Sequence, residues 1–515
     1  MNLEQLKNKF YDIGPMAYKG KEVRIFRDKE SFAYAFFYVN DGEYFPVSEK
    51  DNQDLLNYFK FDGNVYNIAS EVKEEKQVTL LFKKDGHFYS KKGFGQQVDL
   101  DFTFDRVKVT VPFVLTRSKD KNEIQTFVED NLKVMAKYKQ SKETKINALK
   151  NLANILVCYM ESEDASFFSN EHRCLVIDIT NKPKVAPDKE HICVRGSARH
   201  ECFHAMTQNN EKRMCGIQDL ENNIYFAMNE IITSMLAKSG YADFQRIIKL
   251  LTNDSIPQEF VDGYFQNDPS KVIDYISTNY NVSRNEVIHF LLTLDAYMFV
   301  FCNNQNQKYL DEYNVKTYSF VIKCLLNKGK IKITNENVEK IANIVGTTAK
   351  VKLDLSNGNE DIIPNFYRKN YKLQSFMAIA LALADGECKI SENEKRNIFE
   401  KLVFGKEGGL FEANMIPEIY NLVVKEQVGR DSFIYNYFDK NYLNENLSRL
   451  KKQFGQGAEI IIEEILELNF SFLPSKTKSA ILSANAQAVA NQNSFGSKIK
   501  NVFKCFGFKN NIEEK

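Results

Sequence analysis

The sequence predicts a multidomain α+β protein, with an antiparallel β domain first, a mixed α+β region around one histidine-bearing helix next, and an all-helical domain last. Three observations predict it. Strand-like apolar runs fill residues 20–117, helical periodicity takes over from about residue 123, and a polar stretch at 353–365 precedes a second helical region. At 515 residues the chain is too long for one compact core.

The first domain, residues 1–118, holds the runs EVRIFRD, FAYAFFYV, QVTLLFKK, VDLDFTF and VKVTVPFVL, each rich in β-branched and aromatic residues. Asp41-Gly42 and Asp85-Gly86 fall between strand runs and read as hairpin turns. The abundant Phe and Tyr of this region are assigned to its core. The second domain, residues 119–350, opens with the helical segments NEIQTFVEDNLKVMAKYK and TKINALKNLANILVCYM. Two short strands follow, at 174–180 (CLVIDIT) and 191–195 (HICVR). Gly196-Ser197 breaks the second, and Ser197 is placed as the N-cap of a helix running to about Asn209. Further helices are expected at 219–239, stopped by Gly240, and at 245–252 and 284–302.

The chain has six histidines, and two of them bracket a glutamate in His200-Glu201-Cys202-Phe203-His204. On a helix this i, i+4 spacing puts both imidazoles on one face, where they can share a zinc ion while Glu201 handles the proton of the activated water. Cys202 points away from that face, so it reads as a small buried apolar residue and not as a nucleophile.

The segment resembles the zincin metallopeptidases. In that family the positions flanking the motif avoid charge except just before the first histidine; here they are Ala198, Arg199, Cys202, Phe203, Ala205 and Met206. Ser197 stands where the family often has Val or Thr. The resemblance implies that His200 and His204 are zinc ligands and that Glu201 is the general base. A catalytic zinc site takes three protein ligands. The metzincin continuation is excluded, because Thr207 and Asn210 stand where Gly and His are required. The gluzincin arrangement takes its third ligand, a glutamate, from a later helix. Glu230 sits there among Met228, Ile231 and Ile232, where a carboxylate needs a partner to offset its desolvation, and Asn229-Glu230 looks like the pair that opens the gluzincin ligand helix. Glu221 and Glu211 are weaker substitutes. Many gluzincins carry an aspartate four residues after the ligand glutamate to orient a zinc histidine; here Ser234 takes that place, so the support must differ.

The resemblance thus implies a Zn2+-dependent endopeptidase acting on a protein or peptide, with amide hydrolysis as the reaction class. The strand at 191–195 is a candidate edge for an extended substrate. Tyr225, Tyr241, His289 and Tyr297 are the candidate oxyanion donors on helical segments, none of them singled out.

The third domain, residues 366–482, is all-helical. Its segment from Met377 to Leu402 runs from an apolar helix through Ala384-Asp385-Gly386-Glu387 to Ser391-Glu392-Asn393-Glu394, where Ser391 and Glu394 form a capping box. It resembles the helical TerB-like module of tellurite-resistance and related stress proteins, which implies partner binding or regulation. An EF-hand is excluded, since Leu381 and Leu383 occupy the first oxygen-ligand positions. The rival to the peptidase reading is therefore a non-catalytic interaction or stress-response protein acting through this domain. Residues 483–515 form a tail, low in complexity and then basic-aromatic around Cys505, of a kind that can associate weakly with anionic membranes.

A net charge of +1 and a pI near 7.5 give no basic field for nucleic acid. The nine scattered cysteines read as reduced thiols, the N-terminus lacks the apolar core of a signal peptide, and no uninterrupted apolar stretch reads as long enough to span a bilayer. A soluble cytoplasmic protein is expected, export by a signal-independent secretion system aside.

Overall fold

The computed structural model describes residues 3–40, 43–48, 50–52, 54–55, 68–71, 75–84, 87–116, 121–160, 166–170, 173–178, 184–185, 191–192, 194–302, 307–330 and 366–404. The expected linker at 353–365, the helices beyond 404 and the tail at 483–515 lie outside these residues. The protein is mixed α+β, and the chain divides into two compact units: Met1–Lys328 with Thr347–Pro364, and Gly329–Gly346 with Asn365–Lys515.

The first unit opens with helix α1 (Leu3–Lys9) and an antiparallel sheet in the order β1 (Phe10–Tyr18), β2 (Lys21–Asp28), β3 (Tyr34–Asn40) and β4 (Glu43–Pro46). The last pair closes as a hairpin, Asn40 opposite Glu43, around the expected Asp41-Gly42 turn, whose own residues lie outside the description. No periodicity announces β1, because Gly14-Pro15 interrupts it and a bulge falls between Asp12 and Gly14. The strand touches α1 and two later helices, α9 (Arg284–Cys302) and α10 (Gln307–Asn327), and its residues 11–16 are all buried. Asp12 pairs there with Arg24 through two bonds of 2.8 Å. Tyr313 lies where a side chain at Gly14, whose φ is +138°, would have to go.

A second sheet runs in the order β10 (Phe167–Ser169), β11 (Cys174–Asp178), β9 (Ile155–Met160), β8 (Val107–Leu115), β7 (His87–Phe104), β6 (Glu75–Lys84) and β5 (Ile68–Glu71). The expected domain boundary at residue 118 falls within it: β8 and β9 pair in parallel, Phe113 opposite Ile155, so the two regions share a sheet and a core. The run at 155–160, read from sequence as the end of a helix, is a central strand. Ile155, Val157 and Tyr159 enter the core on one face while Leu156 and Cys158 are buried on the other, and a strand covered on both faces shows no alternation. Helices α2 (Lys121–Lys137) and α3 (Lys142–Asn151) connect β8 to β9.

Onto this core packs α4 (Val194–Thr207), which carries the two-histidine motif. Ala198, Cys202, Ala205 and Met206 recur at helical spacing and are buried against the sheet with α2 and α3. Side-chain amides hold it: Asn131 donates to the Arg199 carbonyl (3.2 Å) and Asn151 to that of Met206 (2.9 Å). The helix starts earlier than expected, so Ser197 lies inside it and donates to the Ser166 carbonyl instead of capping. The expected strand at 191–195 shrinks to His191–Ile192, which pairs with residues 184–185.

A small three-stranded sheet (208–209, 214–215, 218–219) leads to α5 (Phe226–Ala237), α6 (Ala242–Thr252), α7 (Gln258–Gln266) and α8 (Ser270–Tyr280). Helix α5 is shorter than the 219–239 expected, because residues 218–219 belong to that sheet and Asp219 bridges to Ile224. Among the described residues one helix, α9, is long and apolar enough to cross a membrane by length and composition, although Glu286, His289 and Asp295 interrupt it; 67% of that window is buried inside the fold, against α5, α8, α10 and β1.

In the second unit, α11 (Phe366–Ala384) packs on α12 (Glu392–Phe404) through Phe376 and Phe399, 5.8 Å apart. Ser391 accepts the Glu394 N–H (3.2 Å), and Asp385 accepts that of Glu387 (2.8 Å), which closes the turn.

Candidate metal centre

Helix α4 buries its small apolar face on the sheet, and this directs the opposite face, with His200 and His204, toward α5. Helix α5 is apolar around most of its surface, and Glu230 is the one carboxylate in its sequence. The two helices bring His200 Nε2 within 3.0 Å of Glu230 Oε2, His204 Nε2 within 3.1 Å of Glu230 Oε1, and the two Nε2 atoms within 3.0 Å of each other. Both histidines are 5% exposed, while the Glu230 side chain keeps 23% of its surface open, so the cluster is reachable from solvent on the glutamate side.

These three residues could hold a metal ion. Atoms about 2.0–2.2 Å from one zinc at tetrahedral angles would lie roughly 3.3–3.5 Å apart. The spacings here are a few tenths of an ångström tighter than that. Two imidazoles and one carboxylate suit zinc and other borderline divalent ions better than calcium or magnesium.

The other ring nitrogens also find partners. His200 Nδ1 lies 3.4 Å from Ser234 Oγ and 3.3 Å from Ser239 Oγ, so two hydroxyls stand where many gluzincins place a carboxylate. Asn229 Oδ1 accepts the Ile217 N–H (3.1 Å), which turns Nδ2 toward His204 Nδ1 (3.3 Å). The sulfur of Cys215, 3.9 Å from that nitrogen, is the acceptor open to an Nδ1–H. Gly216, at φ +56°, lets this loop approach: a Cβ there would collide with Asn229 Oδ1 and come within 2.6 Å of the Tyr264 ring.

Burial works against every charge in this cluster, and the outcome depends on the partners. Burial would raise Glu230, but His204 and His200 hold it well below the usual carboxylate range. Burial would likewise keep His204 neutral, yet Glu230, with Tyr264 and Cys215 adding, raises it well above the usual histidine value. Glu201 lies beside the pair, with Oε1 3.9 Å from His200 Nε2 and Oε2 accepting the Phe168 N–H at 2.9 Å. Burial raises its carboxyl, Glu230 adding, against the pull of His200, His204 and the Phe168 N–H.

Phe168 belongs to β10, the edge of the seven-stranded sheet. In an antiparallel pair a residue's N–H and C=O point the same way. Phe168 therefore turns its carbonyl as well as its N–H away from β11, which makes β10 an edge beside the helix; residues 191–192, the edge expected from the sequence, pair with residues 184–185.

The remaining expectations resolve plainly. Cys202 is buried in the core. Glu211 is exposed, and Glu221 pairs with Arg213 at the surface (3.0 Å). His289 donates to the Asp12 carbonyl (2.9 Å) and Tyr297 to Asn314 (3.1 Å), so both are engaged elsewhere. Ser239, Cys215 and the Phe168 N–H were not foreseen; nothing in their local sequence marks them, and only the approach of distant segments gives them a role. In comparisons with known proteins, no family, no curated protein and no solved structure matches the chain.

Proposed function

We propose that this protein is a zinc-dependent metallopeptidase of the gluzincin kind, hydrolysing peptide bonds with His200, His204 and Glu230 as zinc ligands and Glu201 as general base. The observation that carries the proposal is the meeting of three donor groups at 3.0–3.1 Å with a second carboxylate, that of Glu201, 3.9 Å from His200 Nε2. Zinc bound there supplies Lewis acidity to the scissile carbonyl and to the attacking water, whose pKa falls to about 7.

The protein's own groups do the rest. Glu201 is held through Oε2 by the Phe168 N–H, which leaves Oε1 on the side of the histidines to take the water proton and return it to the leaving amine. A carboxyl raised by burial is a better proton acceptor near neutral pH than an exposed one. The outward Phe168 carbonyl can pair with an extended peptide laid along β10, which would set the scissile bond beside the two helices.

The test separates proton transfer from metal binding. Glu201→Gln should abolish peptide hydrolysis and keep zinc near one per chain, whereas His204→Ala should lose both. Equal zinc loss in the two variants would overturn the role given to Glu201, and a wild-type chain that binds no zinc would overturn the assignment.

A further inference from the structure

Helix α5 delivers Glu230 yet carries no cap of its own. Tyr225 precedes its first residue with φ +64° and no side-chain cap bond, and the first turn has no acidic residue. Two buried side chains from distant elements act there instead. Asp295 of α9 accepts the Tyr225 N–H with Oδ2 (2.7 Å) and the Ala227 N–H with Oδ1 (2.8 Å). Arg27 of β2 donates to the Asn222 carbonyl (3.0 Å) and the Asn223 carbonyl (2.9 Å), beneath the ring of Tyr34. Arg27 and Asp295 are 2% and 3% exposed, so both groups grip this backbone from within the fold.

We propose that Asp295 and Arg27 are positioning residues of the metal centre, a clamp on residues 222–227 that fixes the start of α5 and with it the carboxylate of Glu230. The inference rests on the metal-site reading above. Glu230 follows Ala227 by three residues, less than one helical turn, so any slack in the first turn passes directly to its oxygens. A metal site tolerates only about 0.5 Å of misplacement in its donors. A clamp from β2 also gives the N-terminal sheet a part in the site.

The clamp costs desolvation. Burial pushes Asp295 up to about 7 against the pull of the Ala227 and Tyr225 N–H groups and of Arg27, a cost that an apolar pair filling the same space would not carry.

The test uses the full chain. Zinc affinity of Asp295→Asn and Arg27→Lys is measured by chelator competition, beside urea stability of the metal-free protein and the visible spectrum of the cobalt-loaded form. Lys323→Met, which breaks a different pair that ties helix α9 to α10 (Glu286 of α9 with Lys323 of α10, 2.8 Å), serves as the comparison for general destabilisation. The clamp variants should weaken zinc binding about 10- to 100-fold and alter the cobalt spectrum, while Lys323→Met at comparable stability loss does neither. Should Asp295→Asn fail to fold, Arg27→Lys, which keeps the charge and loses the fork, decides the matter alone. Wild-type affinity and spectrum in the clamp variants, or the same loss in Lys323→Met, would overturn the clamp. Absence of zinc from the wild-type chain would overturn the metal reading beneath it.

Discussion

On the proposed reading, a proton and a metal ion would compete for the same nitrogen of His204. Beside Glu230 the metal-free imidazole has its pKa raised, so in that state it adds stability fully below its unfolded value near 6.5 and loses that contribution as pH rises through the folded value. Zinc requires the neutral ring, so binding must expel that proton. Zinc affinity from chelator competition should therefore be weaker near pH 6 than near pH 8, with proton release on binding by calorimetry at the lower pH. A flat profile would mean that His204 is already neutral in the metal-free protein. Among the described residues no carboxylate stands behind either histidine, since Ser234 and Ser239 face one and Asn229 and Cys215 the other. As ligands, these rings would thus be less basic than carboxylate-backed ones.

Among the elements, β1 and β2 make the most exposed wager on burial. Asp12 lies on a strand enclosed by α1, α9 and α10, and its bidentate bond with Arg24 holds its carboxyl well below the usual range although burial alone would raise it. Arg24→Met should cost about 3–5 kcal/mol in urea unfolding, because it strands a buried carboxylate, and a second change of Asp12 to Asn should recover much of the loss. The sign in pH follows from the lowered value. The pair contributes above the unfolded carboxyl pKa of about 3.9 and fades only as pH falls below it, so the wild-type advantage should persist through neutral pH and shrink in strong acid. An advantage already lost near pH 6 would show that another group carries it.

At the scale of the whole molecule, the site belongs to the first compact unit, and all of its donors, the clamp and the sheet edge lie before Lys328. A chain ending at Pro364 should keep one zinc per chain and a cooperative melt, because no residue of the site lies beyond it. Loss of zinc from that truncation, measured by metal analysis, would show that the second unit completes the first. Within the first unit the sheets are not separable modules: β8 and β9 join the early strands to the later ones, and Arg27 reaches the start of α5. Cutting the chain near residue 118 would therefore leave two partial cores.

Local patterns were enough for part of this. The i, i+4 spacing of His200 and His204, the small residues at 198, 202, 205 and 206, and the isolated Glu230 in an apolar helix each express a periodicity within one element, which is why helix, face and donors were legible in the sequence. The hairpins around Asp41-Gly42 and Asp85-Gly86 are local in the same way. The rest depended on contacts between segments far apart. Residues 155–160 are as apolar as a buried helix, and only partners on both sides make them a strand. Ser239 reaches His200 across 39 positions, Phe168 reaches Glu201 across 33 and Asp295 reaches Tyr225 across 70. No local period encodes such distances, so the chain's own pattern supplied the donor atoms and the tertiary structure decided how they are held.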